Sequence, residues 1–515
     1  MLPSLARVRS VLIAAPVALV FAFAPAAVSS AAPPSPASTQ VAAAEDPLLP
    51  PAEDGSSIPG SDLVPPAPAA VAEQAPLAPA GRTALPTSVL GWAGLVLLVL
   101  VSLALTLVAF TTLAWMLHAW RTPEHLEATR FRRGGKSDAP LPRFTLLVPA
   151  RHEEAVLGHT LDRLAASEYD DLEIIAIIGH DDDGTEQVAR GAAARHPDRV
   201  RVVIDHNVPK NKPKALNTAL VEATGEVVGV FDAEDEVHVG LLPHIAARFA
   251  ETGADVVQGG VQLMNLQTSW WSLRNVLEYY FWFRSRLHFH AGARFIPLGG
   301  NTVFVRTELL REIGGWDAEC LAEDCELGVR LSTRGAVVAV AYDPELVTRE
   351  ETPGDLPALI KQRTRWAQGF LQVLRKGIWR QLPTRRQRLL AWYTLAMPFL
   401  QAFTGLMIPI SLAVMLFAKV PTGVALISFL PLVPTLVTLA VEAAGLGEFS
   451  RAYGVKVRPR DYLRLLLGTF PYQMMLAAAS VRAVLREARG DGSWEKTAHT
   501  GAHREEQPTA LQSAA

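Results

Sequence analysis

The chain has 515 residues, half of them hydrophobic, with 48 basic and 51 acidic side chains and a formal net charge of -3. So even a balance gives no electrostatic case for nucleic acid as a partner. The two cysteines, Cys320 and Cys325, are too few for a disulfide framework or a four-ligand zinc site and are read as reduced thiols. The apolar residues are clustered, which places part of the chain in lipid and makes a domain count from length alone misleading.

Residues 1–32 open with Arg7 and Arg9, run through the apolar stretch Val11 to Val28 and end in small residues, the pattern of a signal peptide or signal anchor. Residues 33–86 are rich in Pro and Ala and bury too little apolar surface to offset ordering entropy, so they are expected to form a disordered spacer. Val89 to Leu117 carries no charged side chain and predicts a transmembrane helix within 87–120, since about 20 residues cross the hydrocarbon core. Two further uncharged runs, Ala391 to Phe417 and Pro421 to Val441, joined by a link containing Lys419, predict a helical hairpin over 390–446. Basic residues decide the orientation. Arg121, Arg130, Arg132, Arg133 and Lys136 follow the first span; Arg375, Lys376, Arg380, Arg385, Arg386 and Arg388 precede the hairpin; and Arg451, Lys456, Arg458 and Arg460 follow it. The spacer is acidic by contrast, so it lies outside and the central region is cytosolic. Tyr462 to Val484 is interrupted by Arg464, Pro471 and Arg482, which predicts an interfacial or re-entrant amphipathic helix over 460–487. Residues 488–515 follow as a cytosolic tail whose last part, 500–515, reads as disordered. The expectation is a multi-pass protein of the cell membrane, with the lipid bilayer as one partner.

Between these segments, over 140–380, short apolar runs alternate with amphipathic stretches, the mark of βαβ units and a parallel sheet. Phe144 to Pro149, Leu172 to Ile178, Val200 to Ile204 and Glu226 to Phe231 read as strands, with a helix opened by Pro213 among the connections. Ligands of such sheets bind beyond the carboxyl ends of the strands. There the residues are acidic: Glu153 and Glu154 after the first run, Asp181, Asp182 and Asp183 after the second, Asp232, Glu234 and Asp235 after the fourth. Gathered carboxylates repel one another unless a cation sits among them, and hard oxygen ligands suit Mg2+ or Mn2+ bridging phosphates. Alternate residues leaving a strand point the same way, so Asp232 and Glu234 can converge on one ion.

Seven segments follow in order: Pro149-Ala150-Arg151-His152-Glu153-Glu154, Asp181-Asp182-Asp183, Lys214-Ala215-Leu216-Asn217, Phe231-Asp232-Ala233-Glu234-Asp235, Leu298-Gly299-Gly300-Asn301, Ala322-Glu323-Asp324 and Gln362-Arg363-Thr364-Arg365-Trp366. From Phe144 to Gln372 this series resembles glycosyltransferase family 2, in particular its membrane-integrated processive synthases with a QxxRW signature, such as bacterial cellulose and hyaluronan synthases. Arg151, His152 and Ala322 depart from the family pattern. The resemblance implies an α/β fold, a cytosolic GT-A domain of the nucleotide-diphospho-sugar transferase type with a Rossmann-like mixed sheet, embedded in a helical transmembrane region.

The resemblance also implies roles. Glu153 and Asp181 meet the nucleotide, with Asp182 and Asp183 left open as alternatives, and Lys214 approaches its phosphates. Asp232 and Glu234 hold the metal, with Asp235 open as the second acid. Gly300 and Asn301 lie on the acceptor side. Asp324 is the base and Glu323 its supporting acid. Gln362 and Arg365 meet the leaving diphosphate, for which a guanidinium is a fixed planar donor, and Trp366 stacks on an acceptor sugar. More loosely, Trp494, Lys496 and Thr497 resemble a gating loop that covers bound nucleotide. The expected activity is inverting transfer of a hexosyl unit (EC 2.4) from a UDP-linked sugar to a glycan acceptor, giving a β-linked polysaccharide. Two alternatives stand beside it: a non-processive transferase adding one sugar to a lipid or short glycan, and a non-catalytic scaffold or glycan-binding protein.

Overall fold

A computed structural model describes residues 88–121, 141–417, 421–495 and 501–505. The signal segment and spacer, Lys419, Lys496 and Thr497 lie outside the described residues.

Helix α1, Val89–Met116, comes first and is uncharged throughout. The chain then enters a sheet whose first four strands, Phe144–Ala150 (β1), Leu172–Gly179 (β2), Val200–Asp205 (β3) and Val227–Val230 (β4), fall where the apolar runs predict them. Apart from Thr145 and Glu173, β1, β2 and β4 are continuously apolar because both faces are covered, while the edge strand β3 carries Arg201 and Asp205. Phe144, Leu146 and Val148 of β1 enter one hydrophobic cluster while Leu147 enters the cluster on the opposite side. The connecting helices are Leu157–Ala165 (α2), Asp183–Arg195 (α3) and Lys212–Glu222 (α4). Helix α4 starts where Asn211 caps it, its side-chain oxygen accepting from the Lys214 amide at 3.0 Å, with Pro213 in the first turn.

After Leu241–Thr252 (α5) come the strands Val256–Gly259 (β5), Val261–Leu263 (β6), Val303–Arg306 (β7), Val338–Ala341 (β8) and Thr348–Glu350 (β9). The main sheet has the order β3-β2-β1-β4-β7-β5-β8, and β6 pairs with β9 apart from it. Strand β7 runs antiparallel to both β4 and β5, so the sheet is mixed, as the resemblance implied and the alternation of elements alone did not.

Apart from the short helices His118–Arg121 and Thr307–Glu312, the helices that follow are Ser272–Phe281 (α6), continued by a π-helical turn Trp282–Arg286 into Leu287–Gly292 (α7), then Glu323–Thr333 (α8), Leu356–Lys376 (α9), Arg385–Phe417 (α10), Thr422–Phe429 (α11), Leu432–Tyr453 (α12), Pro459–Arg489 (α13) and Ala502–Glu505 (α14). Two segments among the described residues are long and apolar enough to cross a membrane, Gly91–Met116 and Thr422–Tyr453. Both leave large apolar side chains uncovered, among them Leu97, Leu100 and Leu107 on the first and Leu426, Val433 and Leu436 on the second. Helix α13 is one continuous helix through Pro471 and not a re-entrant turn. It meets α6 and α10 through polar contacts, Tyr472 Oη donating to Glu278 at 2.8 Å and Ser480 Oγ to Gln401 at 3.0 Å. The described part of the extreme tail, residues 501–505, also differs from the sequence reading. Residues 501–505 are docked on the α/β domain, where Arg504 donates to Thr160 Oγ1 at 2.8 Å and to the Glu234 carbonyl at 2.9 Å.

Candidate active site

A cavity of about 1250 Å3 opens at the carboxyl edge of β1 to β4 and extends between α1, α9, α10, α12 and α13. Of the sequence-predicted site residues, Glu153, Asp232, Glu234, Gly300, Asn301, Glu323, Asp324, Gln362, Arg365, Trp366 and Trp494 line it; Asp181 and Lys214 do not.

At the ends of β1 and β2 the acids are engaged with their neighbours. Arg151 donates to both oxygens of Asp181 at 3.0 Å, and that contact holds the Asp181 carboxyl below its usual range. Asp182 is buried, accepting from the His152 amide at 2.6 Å and capping α3 through the Thr185 amide at 3.3 Å. The donor atoms of His152, Glu154 and Asp182 lie within 4.8 Å of one another, close enough to hold a cation. The β3 end adds Asp205, whose Oδ1 accepts from Asn207 Nδ2 at 2.6 Å and Thr218 Oγ1 at 3.0 Å and which lines the cavity. Sequence reading passed over Asp205, although the carboxyl-edge rule applied to β3 singles it out.

The lysine facing the acids is Lys212, two residues before the one expected. Lys214 instead donates to the Pro209 carbonyl at 3.0 Å on the surface. The Nζ of Lys212 pairs with Asp232 and donates to the Gly300 carbonyl at 2.9 Å. Burial alone would depress its pKa, but Asp232, Glu323 and Asp324 raise it well above the ordinary lysine value. Helical phase decides between the two lysines, since two positions along a helix turn the side chain to another face.

Asp235 settles inward: its Oδ2 accepts from the Asp232 amide at 2.8 Å and its Oδ1 from Asn301 Nδ2 at 2.7 Å. Asn301 also donates to Glu350, so it ties two carboxylates together in addition to lining the cavity. Burial and then the charges of Glu350, Asp232 and Glu234 push the Asp235 carboxyl well above its usual range. Such crowding is what a divalent cation relieves, so the hard-oxygen set of Asp232 and Glu234 fits Mg2+ or Mn2+. Glu350 and Glu351, also lining the cavity, carried no motif in the sequence.

Glu323 and Asp324 open α8 side by side. Burial and then the Asp324 charge push Glu323 up to about 7; burial also raises Asp324, against the Cys325 amide, Lys212 and Arg365. Gly300 allows the acid to approach, because a Cβ there would lie 3.0 Å from Asp324 Oδ2. Helix α9 fixes this loop while presenting Gln362, Arg365 and Trp366: Gln372 Oε1 accepts from the Leu321 amide at 2.8 Å. The Arg365 guanidinium stacks on Trp494 with 4.4 Å to the ring centroid, and Trp366 lies 6.4 Å from Tyr279, centroid to centroid. Both cysteines are free and buried.

An open mixed sheet with carboxylates, a lysine and an arginine meeting at its carboxyl edge defines a GT-A-like nucleotide-sugar transferase fold. Residues 142–369 match the family described as Glycosyltransferase like family 2. The chain is 29% identical over 257 residues to the Beta-monoglucosyldiacylglycerol synthase of Synechocystis sp., covering 49% of this chain and 52% of that one. It is 25% identical over 245 residues to the Poly-beta-1,6-N-acetyl-D-glucosamine synthase of Staphylococcus epidermidis, covering 47% and 58%. The chain thus spans about half the length of these two curated relatives. Among solved structures, the mannosyltransferase PcManGT of Pyrobaculum calidifontis, in complex with GDP-Man and Mn2+, superposes with a TM-score of 0.50 at 22% identity, over 75% of this chain and 99% of that one. That likeness shows the fold. The family match and the named relatives together support a glycosyltransferase enzyme.

Proposed function

We propose that the chain is a membrane-bound inverting glycosyltransferase that moves a sugar from a nucleotide-diphosphate sugar, taken to be UDP-linked, onto a growing polysaccharide. The observation that carries this reading is the meeting of half-buried Asp324, the Lys212–Asp232 pair and Arg365 in one cavity. Asp324 accepts the proton of an acceptor hydroxyl as that oxygen bonds to the anomeric carbon. The bond from the anomeric carbon to the diphosphate breaks, and its electron pair leaves with the nucleoside diphosphate. Arg365 and Lys212 receive the growing charge, Glu153 and Asp181 are assigned to the nucleotide, and Trp494, stacked on Arg365, is assigned to cover it, with Lys496 and Thr497 assigned to the same gating loop. A divalent cation on Asp232 and Glu234, when bound, neutralises diphosphate charge. Attack opposite the leaving group inverts the configuration, which gives a β-linked product from an α-linked donor.

Trp366 and Tyr279 begin a path continued by Gln401, Thr435, Thr438 and Gln473 on the surrounding helices, side chains suited to hydroxyl-rich sugars, and this favours a glycan acceptor. The two apolar segments, with basic residues on both flanks of the α/β domain, support a multi-pass arrangement in the cell membrane with that domain in the cytosol. A second reading, single transfer to a lipid, is favoured by Leu105 and Val108 of α1, which line the same cavity. Incubating membranes that contain the chain with a panel of radiolabelled nucleotide sugars tests both. Label in a high-mass product from a UDP-sugar is expected. A single-sugar lipid adduct would overturn the polymer, and no incorporation from any donor would overturn the transferase.

A further inference from the structure

The arginines around the helical half of the cavity are matched to carboxylates except Arg365, which stacks on Trp494, and Arg286. Arg274 pairs with Glu442 and Arg363 with Glu278, each at 2.6 Å, and Arg284 pairs with Glu448. Arg286, in the π-helical turn, makes no ion pair or hydrogen bond among the described residues, and its Nε is buried without a partner. The guanidinium lies between two indoles, 4.1 Å from the Trp115 ring centroid and 4.8 Å from that of Trp282. Cation–π contact contributes about 0.5–2 kcal/mol, less than the cost of withdrawing a charge from water without a counter-charge. Two hydroxyl donors near Trp115 are also unmatched, those of Tyr393 and Thr394, both buried without hydrogen-bond partners. The Tyr393 and His290 rings each lie 5.6 Å from Trp115. Arg286, Thr394 and Trp115 line the cavity beside Leu105 and Val108.

A cation beside two unmatched hydroxyl donors, with no carboxylate paired to it among the described residues, is matched to an oxyanion. Its place narrows the source. Trp115 is the penultimate residue of the apolar segment Gly91–Met116, the level at which tryptophans and lipid phosphates meet in a bilayer. We propose that this corner binds the phosphate of a membrane phospholipid, whose acyl chains leave along Leu105 and Val108 of α1. The inference rests on the reading of the chain as membrane-bound, and it holds whether the transferred sugar goes to a glycan or to a lipid.

The test uses the full chain purified in detergent, with retained lipid counted by native mass spectrometry. The probes are phosphatidylglycerol, the diacylglycerol with the same acyl chains, and inorganic phosphate. Wild type is expected to hold phosphatidylglycerol about tenfold more tightly than diacylglycerol, and Arg286→Gln to remove that preference while Arg286→Lys keeps most of it. UDP affinity stays unchanged in both variants. Equal retention of phosphatidylglycerol by wild type and Arg286→Gln overturns the site, as does equal retention of diacylglycerol by wild type. Displacement of the phospholipid by millimolar inorganic phosphate overturns the lipid assignment. Should Arg286→Gln lose UDP binding through misfolding, the double variant Tyr393→Phe, Thr394→Val decides, with retention equal to wild type counting against the proposal. Carbonate extraction of wild-type membranes reads the membrane assignment separately, since release of the chain there defeats that reading whatever the lipid result.

Discussion

Ala322 packs directly on Gly369, so closely that a Cβ on Gly369 would lie 2.5 Å from the Ala322 backbone nitrogen. One helix therefore carries the Gln-Arg-Trp residues and also forms the wall on which the Glu323–Asp324 loop rests. Gly369→Ala must push that loop away or tilt α9, a strain of about 1–3 kcal/mol. Sugar transfer is expected to fall at least tenfold with a lowered unfolding temperature, and a variant equal to wild type in both would show that the contact does not matter.

Asp324→Asn keeps the shape of the site but removes the proton acceptor. Transfer is expected to drop about a thousandfold, within the usual range for loss of a general base, with UDP binding by calorimetry unchanged. Full transfer activity in this variant would remove Asp324 from the mechanism.

The two lysines give opposite expectations. Lys212→Ala leaves Asp232 without its partner and removes a cation facing the diphosphate, so nucleotide affinity should fall about a hundredfold. Lys214→Ala removes a surface contact to the Pro209 carbonyl and should bind nucleotide like wild type. Reversed results would restore Lys214 to the site.

The proton affinities of Glu323 and Asp324 set the pH dependence. Both are raised, Glu323 to about 7, so Asp324 is protonated and inactive at acid pH and the acid limb of the rate profile should lie above the ordinary carboxylate range. Glu323→Gln removes the neighbouring charge and should move that limb downward. The sign for stability is the opposite: a raised folded-state value contributes stability below pH about 4.5 that is lost as pH rises through about 7. Glu323→Gln should therefore cost least stability at alkaline pH, readable in thermal melts across that window. An acid limb at the ordinary carboxylate value in wild type would contradict the burial of the pair.

Strands β1 to β4 and the acids that follow β1, β2 and β4 were legible because a buried parallel strand is a run of apolar residues and its ligand edge is the polar residue after it. The same logic reaches Asp205, which needed only to be applied to β3. Lys212 was not legible, since choosing between two lysines two residues apart requires the helical phase set by the Asn211 cap. Nor was the role of Asn301 as the tie between Asp235 and Glu350, because β9 carries no motif and is brought to the site by its pairing with β6 and a bridge from Arg349 to Glu236.

What the order of residues determines by itself is local: which runs are apolar, where carboxylates gather, and which segments are long enough for a bilayer, because each depends on neighbours within a few positions. What only the tertiary structure decided is which charges face one another. The match of Lys212 to Asp232, the rest of Ala322 on Gly369, the docking of Arg504 beside Glu234 and the stacking of Arg286 on Trp115 all join residues distant in the chain. Electrostatic interaction depends on separation in space and on burial, and neither can be read along a line of residues.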